Sequence, residues 1–210
     1  MAATIGAKQA LVFAEHFLQC ALEDLNTWSG NVVISPASID DQAWAQQLLT
    51  KDLLVLPQQT GNLGQRLNTL DQQLRDLGHS HILYIGSDAP ALTITNFNQI
   101  TDALLQDDIA LAPALDGGVT IMANRVPWPD LEHLPWSTDQ LGDALAALCD
   151  INQQTVTITD ITYDIDHQQQ LSQLGLDLLC DNRPARQMLL NQIQLFAASV
   201  AAINESPNDA

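Results

Sequence analysis

Asp88 is the residue in this sequence whose setting points most directly to chemistry. It closes the run Ile82-Leu83-Tyr84-Ile85-Gly86-Ser87-Asp88-Ala89-Pro90, in which an apolar segment stops at Gly-Ser-Asp. A carboxylate at the carboxyl end of a buried strand is where open α/β sheets place ligand and metal chemistry. Thr93 or Thr95 can cap a following helix, whose apolar positions Ile94, Phe97, Ile100, Ala103 and Leu104 recur at helical spacing. Asp88 is thereby expected at a strand-to-helix crevice. A simple turn ahead of Pro90 accounts for the same residues and stays open. Other constellations are missing from the sequence. No Cys-x-x-Cys or Cys/His cluster has the spacing of a structural zinc site, and no Gly-x-Ser-x-Gly elbow marks a serine hydrolase.

The elements that must position Asp88 alternate along the chain. Residues 7–28 carry Leu11, Phe13, Ala14, Phe17, Leu18, Ala21, Leu22 and Leu25 in a helical stripe. Short strands are expected at 31–35 and 53–56, with a helix from Pro36 through Trp44 and Leu48 between them. Gly61-Asn62-Leu63-Gly64 opens a helix that Gly78 stops, and 81–86 is the third strand. Strands at 109–113 and 119–123 flank the turn Asp116-Gly117-Gly118. Ser137 or Thr138 is expected to cap a helix through Leu148, 155–158 and 161–163 read as β, and a short helix follows near Leu171 and Leu174. Residues 184–203 form a C-terminal helix and 204–210 a flexible tail. This alternation predicts a three-layer α/β/α domain over 1–183 with an open, mostly parallel sheet, and a C-terminal helix packed on it or on a partner.

Composition narrows the partners. The formal net charge is −18 with only seven Lys and Arg, which argues against nucleic acid and against an anionic membrane surface. No apolar run approaches the roughly 20 residues that span a bilayer, and a secretory leader pattern is missing. Cys20, Cys149 and Cys180 are odd in number and set among apolar neighbours, so reduced, buried thiols in a cytoplasmic protein are expected.

Five segments in order resemble one family. They are Gln59-Thr60-Gly61-Asn62-Leu63-Gly64-Gln65-Arg66-Leu67, Ile85-Gly86-Ser87-Asp88-Ala89-Pro90, Ala112-Pro113-Ala114-Leu115-Asp116-Gly117-Gly118, Pro135-Trp136-Ser137-Thr138 and Tyr163-Asp164-Ile165-Asp166. Together they resemble the bacterial DUF2064 glycosyltransferase-like proteins, some named for arsenosugar biosynthesis, within the nucleotide-diphospho-sugar transferase (GT-A) superfamily. The resemblance implies an open GT-A sheet that binds a nucleotide sugar, with Mg2+ or Mn2+ as cofactor and a small-molecule acceptor. Asp88 would match the family's metal-holding aspartate, and Asp166, or else Asp164, would supply a second carboxylate. Oxygen ligands suit a hard divalent ion that bridges phosphates. An N-cap ahead of the helix near Gln168 is the other reading of Asp166.

In the same resemblance Gln59, Gly61, Gly64 and Arg66 would lie beside the nucleobase or ribose, where glycines and helix-terminal amides permit close approach of an anion. Asp116-Gly117-Gly118 would match the acceptor-side turn, with Asp116 orienting or deprotonating a hydroxyl nucleophile. Trp136 would wall the sugar pocket. A tight turn explains Asp116 to Gly118 equally, and packing explains Trp136.

The chain also departs from the family pattern. The family's opening strand and basic Pro-Gly-x-x-Lys-Thr-Arg-Leu loop have no counterpart, which would leave two strand edges exposed or force them together. Ala91 stands where a second aspartate is common, and Arg66 is the one basic residue in the matched segments. Two functions therefore remain: a metal-dependent transferase moving a sugar or nucleotidyl group, or a catalytically degenerate scaffold or partner-binding subunit, such as a homodimer.

Overall fold

The computed structural model describes residues 1–205. In chain order its first elements are α1 (Ala2–Ile5), α2 (Ala7–Thr27), β1 (Val33–Ile34), α3 (Gln42–Ala45), β2 (Leu54–Val55), α4 (Leu63–Asp76) and β3 (Ile82–Ile85). They are followed by α5 (Ile94–Leu104), β4 (Ile109–Pro113), β5 (Val119–Asn124), α6 (Leu141–Ile151), β6 (Val156–Ile158), α7 (Gln168–Asp177) and α8 (Pro184–Glu205). They group into two compact units. A helical unit gathers Met1–Asp24, Ser87–Ala91 and the chain from Asp164 onward, and a sheet unit holds Leu25–Gly86 and Leu92–Tyr163.

In the sheet unit, β4 and β5 form an antiparallel pair joined through the turn at Asp116, and the larger sheet has the order β3-β5-β4-β6. β3 pairs with β5 antiparallel and β4 with β6 parallel, so β3, β4 and β6 run in one direction and β5 alone opposes them. β1 and β2 make a separate parallel pair, and among the described residues β3 pairs only with β5. β4 is central because Ile109, Ala110, Leu111 and Ala112 are all buried, the run of small and branched side chains that a strand covered on both faces needs. Around it Met122, Trp128, Leu131, Leu145 and Cys149 complete an apolar cluster.

Local signals set the helix starts that matter. Asn62 caps α4 by accepting from the Gln65 amide at 3.0 Å while Gln65 returns a bond to the Asn62 amide at 2.9 Å. Thr93 caps α5 in the same reciprocal way with Asn96. Asp71 is a buried carboxylate of α4. It takes bonds from Arg75 at 2.9 Å, the Tyr84 hydroxyl at 2.8 Å and Asn124 at 2.7 Å, tying α4 to β3 and β5. Burial pushes the Tyr84 phenol upward, and the Asp71 charge adds to the push.

The helical unit is built on α2, α7 and α8. Phe13, Phe17, Leu171, Leu174, Leu189 and Ile193 are buried there, and Phe13 meets Phe196 edge-on at 5.5 Å. Cys20 is buried, as is Cys149 in the sheet unit, and burial pushes both thiols up to about 12.

Four details differ from the sequence expectations. The helix expected from Pro36 is a 3-10 turn at Ile39–Asp41 followed by the single turn α3, because Ile39 and Trp44 stay exposed and only Ala45 of α3 is buried. α6 starts at Leu141 without a side-chain cap, since Ser137 takes a positive φ of 62° and the Thr138 hydroxyl donates to the Pro135 carbonyl. The β expected at 161–163 reduces to one bridge between Ala114 and Thr162. Cys180 is exposed rather than buried. Residues 206–210 of the expected tail lie outside the described residues.

Candidate functional site

The Gly-Ser-Asp signal and the later Asp-x-Asp meet in the helical unit. The Ile165 amide donates to the Asp88 carbonyl at 2.9 Å, which joins the Ser87–Ala91 loop to the Asp164–Asp166 segment. Ligand oxygens of Asp164 and Asp166 lie within 4.8 Å of each other. The protein massed around Asp88 pushes its carboxyl above the ordinary range, its own amide pulls it back, and the charge of Asp166 pushes it up again. Asp88 nevertheless keeps an exposed surface, where water screens the charges around it. Asp166 is exposed and does not cap α7. That position falls to His167, and Gln170 Oε1 accepts from the Asp166 and His167 amides at 2.8 and 2.7 Å. The oxygens of Asp164 and Asp166 are of the kind a hard divalent cation takes.

The remaining sequence candidates lie in the sheet unit. Gln59 and Gly61 are exposed, and Gly61 has φ +120°. Arg66 folds back on its own loop: Nε donates to the Gly61 carbonyl at 2.7 Å and Nη1 to Gln58 at 3.4 Å. Gly64 is buried against the segment before α6, where an added Cβ would meet the Leu131 carbonyl at 2.1 Å and Trp136 Nε1 at 2.8 Å. The close approach that Gly64 permits is thus to another stretch of backbone. Trp136 donates its indole N–H to the same Leu131 carbonyl at 3.0 Å, and its ring packs against the apolar cluster around β4.

At the β4–β5 turn, Asp116 Oδ1 accepts from the Gly118 amide at 2.9 Å. Gly117 has φ +89°, and a Cβ there would lie 2.0 Å from the Asp139 carbonyl, so two separate constraints demand glycine. Asp116 is exposed, and its second oxygen remains available to a ligand.

Two groups escaped the sequence reading. Asp130, Glu132 and His133 bring ligand atoms within 4.8 Å of one another, an arrangement hidden by the irregular Pro-rich loop that carries them. Arg186 is wholly buried and donates to the Pro90 carbonyl at 3.2 Å, a contact that spans 96 positions of sequence and leaves no local pattern to read.

Residues 18–138, more than half of the chain, match the family model described as "Uncharacterized protein conserved in bacteria (DUF2064)". The chain belongs to the DUF2064 family. A solved structure from Desulfovibrio desulfuricans G20, described as a "putative nucleotide-diphospho-sugar transferase", aligns with a TM-score of 0.80 at 20% identity, over 96% of this chain and 89% of its own. That likeness establishes the fold of this DUF2064 chain as the α/β nucleotide-diphospho-sugar transferase type. No protein of curated function matches it. Among the described residues no helix is long and apolar enough to cross a membrane.

Proposed function

We propose that the protein is a cytoplasmic, glycosyltransferase-like enzyme that binds a nucleotide-diphospho-sugar with Mg2+ or Mn2+ and transfers a sugar or nucleotidyl group to a small acceptor. The observation that carries the proposal is the pairing of Asp88 with the Asp164–Asp166 segment, within a fold shared with a protein described as a transferase of this class. Asp88 and Asp166 are the proposed metal ligands. A divalent ion held there would offset the charge of a pyrophosphate and ease departure of a nucleoside diphosphate.

This chain's own residues then divide the work. Gln59, Gly61 and Arg66 form the proposed nucleoside-side loop, with Arg66 already oriented by Gly61 and Gln58 and Gly64 seating the helix start on Leu131. Asp116, held by the Gly118 amide through one oxygen, would orient the acceptor hydroxyl or take its proton through the other, with Gly117 and Gly118 fixing the turn. Trp136 is the proposed wall of the sugar pocket. Mn2+ together with a uridine or guanosine diphosphate sugar should raise the melting temperature by linkage, and Asp88→Ala should abolish the rise. A melting temperature indifferent to every nucleotide sugar tested would refute the proposal.

A second reading has an observation in its favour. On α8, Met188 and Leu195 are exposed, which suits a catalytically degenerate scaffold that buries this face in a homodimer. A mass that stays monomeric over a wide concentration range, in a protein that binds Mn2+, would remove that reading.

A further inference from the structure

Arg186 is the one Lys or Arg among the described residues that is buried, with 0% of its surface exposed, in a chain of net charge −18 whose seven basic residues are otherwise at or near the surface. Its bonds tie the segment that carries it to the other two chain segments of the helical unit. From α8, Nε donates to the Pro90 carbonyl at 3.2 Å, Nη1 to the Cys20 carbonyl and to Glu23 at 3.0 Å, and Nη2 to Asp24 at 2.5 Å. The carboxylates are themselves held in place. Glu23 also accepts from the Ala185 amide at 2.9 Å, and Asp24 pairs with Arg183 at 2.8 Å.

Stability alone does not call for such a group. A buried ion cluster is often matched or bettered by apolar side chains of the same volume, because desolvation of the ions cancels most of their attraction. What apolar side chains cannot supply is a directed bond to a carbonyl. The Ser87–Ala91 loop is fastened by two carbonyls two residues apart: Asp88 O takes the Ile165 amide and Pro90 O takes Arg186. Between them they fix the backbone that carries the Asp88 side chain. The rigid guanidinium fork suits this task, whereas the point charge of a lysine does not.

We infer that Arg186 is a positioning residue for Asp88, making α8 and the Glu23–Asp24 end of α2 the foundation of the proposed metal site. The inference rests on the metal role proposed above for Asp88, and it extends the site to a residue outside every motif. Removing an outer partner of a metal ligand typically weakens metal affinity about 10- to 100-fold, and that loss is expected here.

The test uses the full chain with three variants: Arg186→Lys, the charge-balanced Arg186→Met/Glu23→Gln, and Arg183→Gln. Each is first shown to be folded by circular dichroism, and two quantities are then measured: Mn2+ affinity, and hydrogen exchange of a peptide covering 86–92 together with the Ile165 amide. Both Arg186 variants should bind Mn2+ about 10- to 100-fold more weakly and exchange faster at these sites, with β4 and β5 unchanged. Arg183→Gln, which removes one partner of Asp24 but leaves every bond of Arg186 in place, should lose less than either Arg186 variant in both. Wild-type exchange in the folded Arg186 variants, wild-type Mn2+ affinity in them, or an equal loss in Arg183→Gln would each overturn the inference. If wild-type protein binds no Mn2+ yet exchange at 86–92 rises in the Arg186 variants, the metal reading fails while the bracing of the loop by Arg186 stands.

Discussion

The loops of the sheet unit and the acidic loop of the helical unit use their polar groups in opposite ways. Around α4 and the loop before α6, polar groups are spent locally: Arg66 on Gly61, Asn62 on Gln65, Trp136 on Leu131. At Ser87–Ala91 and Asp164–Asp166 the backbone is fastened, while the charge of Asp166 opposes ionisation of Asp88 and both carboxylates remain accessible. Groups that are satisfied within the chain hold a shape. Accessible carboxylates of like charge suit a cation, and the metal proposal rests on that contrast.

Substitutions can break this contrast, beginning with the sheet unit. Asp71→Ala should cost about 3–5 kcal/mol in urea unfolding, since it strands Arg75 beside two further donors in a buried position. A loss under 1 kcal/mol would show that the network is not structural. Gly64→Ala comes next. Its Cβ would collide with the Leu131 carbonyl, and a loss of about 1–3 kcal/mol is expected, with no change in Mn2+ affinity.

Smaller effects are expected in the helical unit. Burial opposes ionisation of Asp181, but bonds from the Arg183 side chain and amide prevail and hold its carboxyl below the usual range. A depressed folded-state pKa gives stability that is present above the unfolded value and lost as pH falls through the folded one. Asp181→Asn should therefore cost about 1 kcal/mol or less at pH 7 and nothing in strong acid, as read by thermal melts across pH. Asp88 has the opposite sign. Its folded-state pKa is raised, so stability declines as pH climbs through the carboxylate range and stays lower above it. Metal-free Asp88→Asn should melt above wild type at pH 7 and coincide with it near about pH 3, where both are uncharged. Equal melting at both pH values would show that Asp88 carries no such penalty.

Much of the fold was legible because its signals are local. The capping boxes at Asn62 and Thr93, the stop at Gly78 and the apolar run of β4 are each contained within a few residues. The helix at Pro36 misled because its pattern had polar and apolar residues at helical spacing but no partner to bury Ile39 and Trp44. In the candidate site, Asp88 and the Asp164–Asp166 segment could be found from strand-end position and family resemblance. Arg186 could not, since its meaning lies in a bond to Pro90, 96 positions away in the sequence. Gly64 was legible as a glycine of close approach, but the surface it approaches, Leu131 and Trp136, is set by tertiary packing.

The contrast is tested most directly by adding Mn2+ to isotopically labelled protein and mapping which backbone amides are broadened. The account predicts broadening centred on Ser87–Ala91 and Asp164–His167, removed by Asp88→Ala. Broadening centred instead on Asp130, Glu132 and His133, or its persistence in Asp88→Ala, would contradict it.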